Sequence, residues 1–327
     1  MKVLIQHGAR LSEEKEILDI SVSRGYQDIV DFVLSQDYVD FKDKEKAIRD
    51  ATSGGHLGVL KTLIAHGQSL PVTSLHLALS STRVEIVLLL LETGADVCGL
   101  DRKGNTPVDY CIPRDRSATE ELIGRYAEII QMLIQNGASP NGGGKNQPPL
   151  HQASYWGHLK LVSLMKSLGA DVNLVYDGAS VELTNVRVRK VSPLHDACKG
   201  GHEDVVAFLL DNGAEIDATD SNGDSPLMCA VATTNKLSAI ILDGATTRFP
   251  REKFDNISVV KFLVERGADL NTRNRLGQTA LLLAAGNRNR EQFLCLLRAG
   301  ARLDLTSLSG DDPLLLRDGW GRGICSR

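Results

Sequence analysis

Eight histidines are the side chains of this 327-residue chain best suited to moving protons or holding a metal at neutral pH. His76, His151 and His195 each follow a leucine; His56, His158 and His202 each follow a glycine; His7 and His66 each precede one. A zinc or general-base site needs groups that converge, whereas these recur at wide, regular intervals, so structural roles are expected for all eight. Six cysteines (Cys98, Cys111, Cys198, Cys229, Cys295, Cys325) include no Cys-x-x-Cys pair and read as reduced thiols. Gly142-Gly143-Gly144-Lys145-Asn146 is a poor phosphate loop, because Ser139 stands where the first glycine belongs and Asn146 replaces the metal-binding hydroxyl. Asp220-Ser221-Asn222-Gly223-Asp224 begins like a calcium loop but lacks the closing glutamate, so turn chemistry accounts for it. Asn256-Ile257-Ser258 is a glycosylation sequon with no secretory route. No catalytic triad or dyad can be assembled, and neither enzyme activity, a cofactor nor a metal is expected.

The elements that carry these residues are clearest between Ser192 and Ala214. Ser192 suits a helix N-cap and Pro193 the first helical position. Leu194, Ala197 and Cys198 form one apolar stripe, Gly200-Gly201 interrupts it, and Val205, Val206, Phe208, Leu209 and Leu210 form a second. Gly213 ends that second helix. Neither helix is long enough to stand alone in water, so the pair must stack on something.

What it stacks on is more copies of itself. Second helices closed by glycine or its equivalent recur at residues 29–34, 59–64, 86–91, 129–134, 161–166, 205–210, 259–264 and 293–297, with a half-unit at Leu4–Ala9. Leu75 to Val108, Leu194 to Leu227 and Leu281 to Leu314 are each 33 residues apart, as are Gly267 and Gly300. A period of this length with Thr-Pro-Leu-His-like openings, at Thr106-Pro107-Val108, Ser192-Pro193-Leu194-His195 and Ser225-Pro226-Leu227, resembles the ankyrin repeat, a β-turn followed by two antiparallel helices. The resemblance covers residues 1–316 and implies an all-α solenoid of stacked helix-turn-helix units with short β-hairpin connections, about eight repeats with partial units at both ends. Residues 317–327 form an irregular tail. The incomplete end units suggest a piece of a longer protein or a truncated product.

Three intervals exceed the period. The surplus falls near residues 111–125 and 233–255, between helices of one unit, and near 174–191, where alternating Val181, Leu183, Val186 and Val188 suggest a lengthened hairpin. Insertions of this size in a tight stack point to function or mobility.

Hydrophobic residues make up 42% of the chain and charged ones 24%, the balance of a soluble globular protein. A net charge of −4 excludes a general binder of nucleic acid or anionic membrane. The first residues lack a signal-peptide core, and no apolar run approaches the roughly 18 residues of a membrane span. The cytosol, the nucleus or both are the expected compartments. Residues 201–250 carry a net −6 and 251–300 a net +4, an asymmetry read first as solvated faces of differing sign and second as a bipolar groove.

The resemblance implies protein binding through hairpin tips and through positions at the end of each first helix. Those tips hold Arg102, Lys103 and Asn105; Ser221, Asn222 and Asp224; Arg275, Leu276 and Gln278. Tyr155-Trp156, just before a Gly-His pair, would be either interface anchors or rings folded back on the lengthened hairpin. The function expected is non-enzymatic recognition of a protein partner by a monomeric scaffold, adaptor or regulatory protein. A transcription co-regulator that binds a DNA-binding protein falls within that class. The alternative is the repeat portion of a larger enzyme or signalling protein.

Overall fold

A computed structural model describes residues 14–35, 44–67, 69–81, 83–143, 147–177, 189–232 and 256–303. The chain divides into two compact units, residues 1–111 with 128–139, and residues 112–127 with 140–327. The regular structure of the described residues is helical apart from one short two-stranded ladder.

In the first unit, helices pair as α1 (Glu14–Arg24) with α2 (Gln27–Leu34), α3 (Lys44–Gly54) with α4 (Leu57–Ala65), and α5 (Ser74–Ser80) with α6 (Val84–Glu92). First helices stack on first helices, α1 on α3 on α5, and second on second, α2 on α4 on α6. Leu18, Val22, Ile48, Ala51, Leu75, Ala78 and Leu79 are buried on the first helices, against Val30, Val33, Leu60, Leu63, Val87 and Leu90 on the second. Three- and four-residue spacing puts each set on one stripe.

The next unit of sequence departs from the expected helix. Thr106-Pro107-Val108 opens only a four-residue 3-10 turn, Pro107–Tyr110. Asp109 closes that turn on its own cap, its carboxylate accepting from the Thr106 backbone N–H at 2.7 Å and from the Thr106 hydroxyl at 2.8 Å. Pro113 has no N–H to continue a helix and disfavours helical backbone at Ile112. The second helix is correspondingly long: α7 (Glu120–Gln135) takes in the last part of the 111–125 insertion. The division between the two units passes through α7, at Ala127 and Glu128.

The second unit continues with α8 (Pro149–Trp156), α9 (Leu159–Ser167), α10 (Pro193–Gly200), α11 (Glu203–Asp211), α12 (Pro226–Ala232), α13 (Ile257–Glu265), α14 (Ala280–Gly286) and α15 (Arg290–Arg298). The order of stacking is the same, α8, α10, α12, α14 in one layer and α9, α11, α13, α15 in the other. Leu150, Leu194, Leu227 and Leu281 recur as buried anchors of the first helices; Val162, Val206, Val260 and Leu296 line the second.

Between α9 and α10 lies the base of the expected lengthened hairpin. β1 (Tyr176–Asp177) pairs antiparallel with β2 (Arg189–Val191), Tyr176 opposite Val191, with an irregular register where Lys190 takes a left-handed φ of 59°. The alternating residues Val181 to Val188, the insertion at 233–255, Lys145 with Asn146, His7 and the 317–327 tail lie outside the described residues.

Candidate interaction surface

Six histidines hold the layers together. His76, His151 and His195 sit in the first turn of a first helix, and each Nε2 lies 2.9–3.1 Å from a carbonyl of the next hairpin, on Asn105, Val191 and Asp224 respectively. His56, His158 and His202 precede second helices, and each Nε2 lies 2.9–3.0 Å from a carbonyl further back, on Ser23, Pro113 and Tyr155. A carbonyl only accepts, so each ring carries its proton on Nε2. In His195 the other nitrogen, Nδ1, is left to accept from the Ser192 hydroxyl at 2.7 Å and from the Ser192 N–H at 3.3 Å, which makes this ring neutral. Burial pushes His151 down to about 3 and His195 to about 4, and burial with the Arg116 charge pushes His202 to about 4. All six are struts of the frame.

Three buried thiols are equally inactive. Burial drives Cys111 and Cys198 well above the ordinary thiol range and Cys229 up to about 12, which removes the thiolate that nucleophilic or metal chemistry requires. Among the described residues no group of three or more His, Cys, Asp or Glu could hold a metal ion.

The hairpin tips are built on one device. Asp101 Oδ1 accepts from the N–H groups of Lys103 and Asn105, Asp220 Oδ1 from those of Asn222 and Asp224, and Asn274 Oδ1 from those of Leu276 and Gln278, all at 2.8–3.0 Å. A side chain that mimics a turn carbonyl fixes the backbone and lets the intervening residues face solvent. In the first unit Arg102 and Lys103 are exposed, and Leu100 beside them is 53% exposed. Asn105 is not: at 6% exposure it faces inward, its amide donating toward Asp101 and the Tyr110 hydroxyl and its carbonyl holding His76.

In the second unit two tips are tied together. The Arg275 N–H donates to the Asn222 carbonyl at 2.8 Å, and the Asn274 amide to the Asp224 carboxylate at 2.8 Å. Ser221, Asn222, Asp224 and Gln278 are half-buried in this junction, while Arg275 is exposed and its neighbour Leu276 is 62% exposed. Leu276 is one of the hairpin-tip positions that the sequence pattern marks, beside Arg275.

At the end of α8 the two aromatics divide. Trp156 is buried at 8% exposure and Tyr155 is half-buried, their rings edge to face at 5.3 Å. Trp156 is thus enclosed within the stack, while Tyr155 keeps part of its ring open. Tyr155 neighbours a group that no local pattern signals: Arg116, from the segment between the 3-10 turn and α7, which donates to the Gly200 carbonyl at 2.8 Å. Asp196 and Lys199, one turn apart on α10, complete the region. Burial raises Asp196 to about 6 even though Gln147 donates to it at 3.0 Å. For Lys199 burial works downward, and the neighbouring acidic groups Asp196, Asp220 and Asp224 work upward, so the ammonium stays charged.

Comparison with known proteins agrees with this architecture. A family model described as "Ankyrin repeats (many copies)" matches residues 194–242 and 251–298, and one described as "Ankyrin repeat" matches residues 145–185. The chain is 31% identical over 186 residues to "Ankyrin repeat domain-containing protein SAT10" of Stachybotrys chartarum, covering 54% of this chain and 9% of that protein. It is 26% identical over 348 aligned positions to "Ankyrin repeat and KH domain-containing protein mask-1" of Caenorhabditis elegans, covering 94% of this chain and 12% of that one. This chain thus spans about a tenth of the length of both curated relatives. Among solved structures, the human ASB11 ankyrin repeat domain superposes with a TM-score of 0.55 at 26% identity, covering 78% of this chain and 98% of that one.

Proposed function

We propose that this chain, an ankyrin repeat protein, recognises a partner protein through two hairpin tips, each of which sets cationic side chains beside an exposed leucine. One tip carries Leu100, Arg102 and Lys103, the other Arg275 and Leu276. That pairing of charge and apolar surface is the observation that carries the reading. It fits a partner segment in which acidic side chains flank an apolar one: the cations steer the encounter and the leucine supplies desolvated contact. The six layer-bridging histidines and the buried Cys111, Cys198 and Cys229 belong to the frame, which leaves recognition to the tips.

The work of such a module is that of a scaffold, adaptor or regulatory subunit. In the nucleus it would act as a transcription co-regulator that meets a DNA-binding protein rather than DNA, because the net charge of −4 provides no continuous phosphate-tracking stripe. In the cytosol the same surface would serve an adaptor. Among the described residues no helix is long and apolar enough to cross a membrane. The short span of the relatives that this chain covers supports a second reading, in which these repeats are the recognition part of a larger enzyme or signalling protein.

The test is affinity capture followed by titration of the purified partner with the chain and with Arg275→Glu/Leu276→Ala. A loss of about thirtyfold or more in Kd is expected, the scale of one interface hot spot. Unchanged affinity in that variant and in Arg102→Glu/Lys103→Glu would contradict the reading.

A further inference from the structure

The segment between the 3-10 turn and α7 lies outside helix and strand, and it crosses the end of the second unit's inner helix layer. Pro113 supplies the carbonyl that His158 holds at 2.9 Å, and Arg116 reaches on to the Gly200 carbonyl at 2.8 Å, 84 residues away in sequence. The segment is therefore a strap from its own repeat, past α8, to α10. Ser117 follows Arg116 directly and is exposed, as are Arg114 three residues before it and Asp115. Its hydroxyl donates to an Asp115 oxygen at 2.7 Å and its N–H to the other at 2.9 Å.

We propose that Ser117 is a phosphoacceptor for an arginine-directed, ATP-dependent serine kinase, and that its phosphorylation releases Arg116 from Gly200. Kinases of this class choose substrates by charge pattern, and Arg114 and Arg116 stand on the N-terminal side of an accessible hydroxyl in irregular backbone. In the step itself the Ser117 Oγ bonds to the γ-phosphorus of ATP, the bond from that phosphorus to the β,γ-bridging oxygen breaks, ADP leaves with the electron pair, and the hydroxyl proton passes to a base of the kinase.

The product changes two contacts at once. The Oγ–H that Asp115 accepted is gone, and a dianion stands against that carboxylate, which opens the turn. The same dianion adjoins Arg116. A guanidinium–phosphate pair joins two opposite charges through parallel hydrogen bonds, whereas the Gly200 carbonyl offers only a neutral acceptor, so Arg116 transfers from Gly200 to the phosphate.

The full chain treated with an arginine-directed serine kinase and magnesium ATP should take up phosphate at Ser117, read by mass spectrometry. Ser117→Ala should lose that site, and Arg114→Ala should slow its modification about tenfold, the factor of one charge-assisted contact. Amide exchange across residues 112–119 should rise about tenfold in the phosphorylated chain and equally in Arg116→Ala, the unmodified release control. The proposal is overturned if Ser117 stays unmodified, or if the phosphorylated chain exchanges like the untreated one. It is overturned equally if Arg116→Ala leaves exchange unchanged, since the strap would then hold nothing.

Discussion

The backbone of Gly200 passes so close to Tyr155 that a Cβ on Gly200 would stand 2.4 Å from the Tyr155 carbonyl oxygen, the atom that His202 also holds at 3.0 Å. Repeats α8 and α10 can approach this far only because the residue is glycine. Gly200→Ala should therefore destabilise the chain by about 1–3 kcal/mol, the usual result of overpacking, seen as a lower urea midpoint with an unchanged slope. A midpoint equal to the parent's would show that the two helices separate freely.

Acid should loosen the second unit through its histidines. His151 and His195 are fully buried with pKa values of about 3 and about 4, against 6.5 for the unfolded chain. The folded chain thus binds fewer protons than the unfolded one below that value. Their contribution is whole above about pH 6.5 and is lost as the pH falls toward 4, by about 2 kcal/mol for each ring between pH 6.5 and 5. Urea titrations at these two pH values should show the fall, and His195→Gln should reduce it by about 2 kcal/mol, the share of one ring.

Asp196 runs the other way. Burial raises its pKa from 3.8 to about 6, so its contribution is whole below about pH 3.8 and is lost as the pH rises through 6. Asp196→Asn keeps an oxygen for the Gln147 amide and removes the charge. The variant should be more stable than the parent at pH 7 and equal to it near pH 4, checked by thermal unfolding at both.

Gln292 occupies, on α15, the position that Val205 holds on α11 and Val259 on α13. It is 0% exposed, and neither its amide nitrogen nor its amide oxygen has a hydrogen-bond partner. An unsatisfied buried amide costs about 1–3 kcal/mol, so Gln292→Val should raise stability by a comparable amount, measured as an upward shift of Tm. A lower Tm would show that the amide contributes through a contact of another kind.

The regular part of this fold is written locally. Apolar spacing, closing glycines and the Ser192-Pro193-Leu194-His195 opening each act within a few residues, which is why eight second helices and the roles of six histidines could be read from sequence. The departures depend on contacts between distant residues. Pro113 reduces a helix to a 3-10 turn, and Arg116 then reaches Gly200, a contact that no periodicity encodes. Asn105 and Trp156 looked accessible from their positions in the repeat, yet Asp101, Tyr110 and the packing of α8 enclose them. Arg288 takes a φ of 56° where Gly157 and Gly201 close the equivalent helices at 80° and 75°.

The most direct test of recognition at the tips is a hydrogen-exchange footprint of the full chain with and without its captured partner. Protection of the backbone at residues 99–105 and 272–278, with the second helices α9, α11, α13 and α15 unchanged, is the predicted result. Protection confined to those second helices, with both tips exchanging at their free rates, would contradict it.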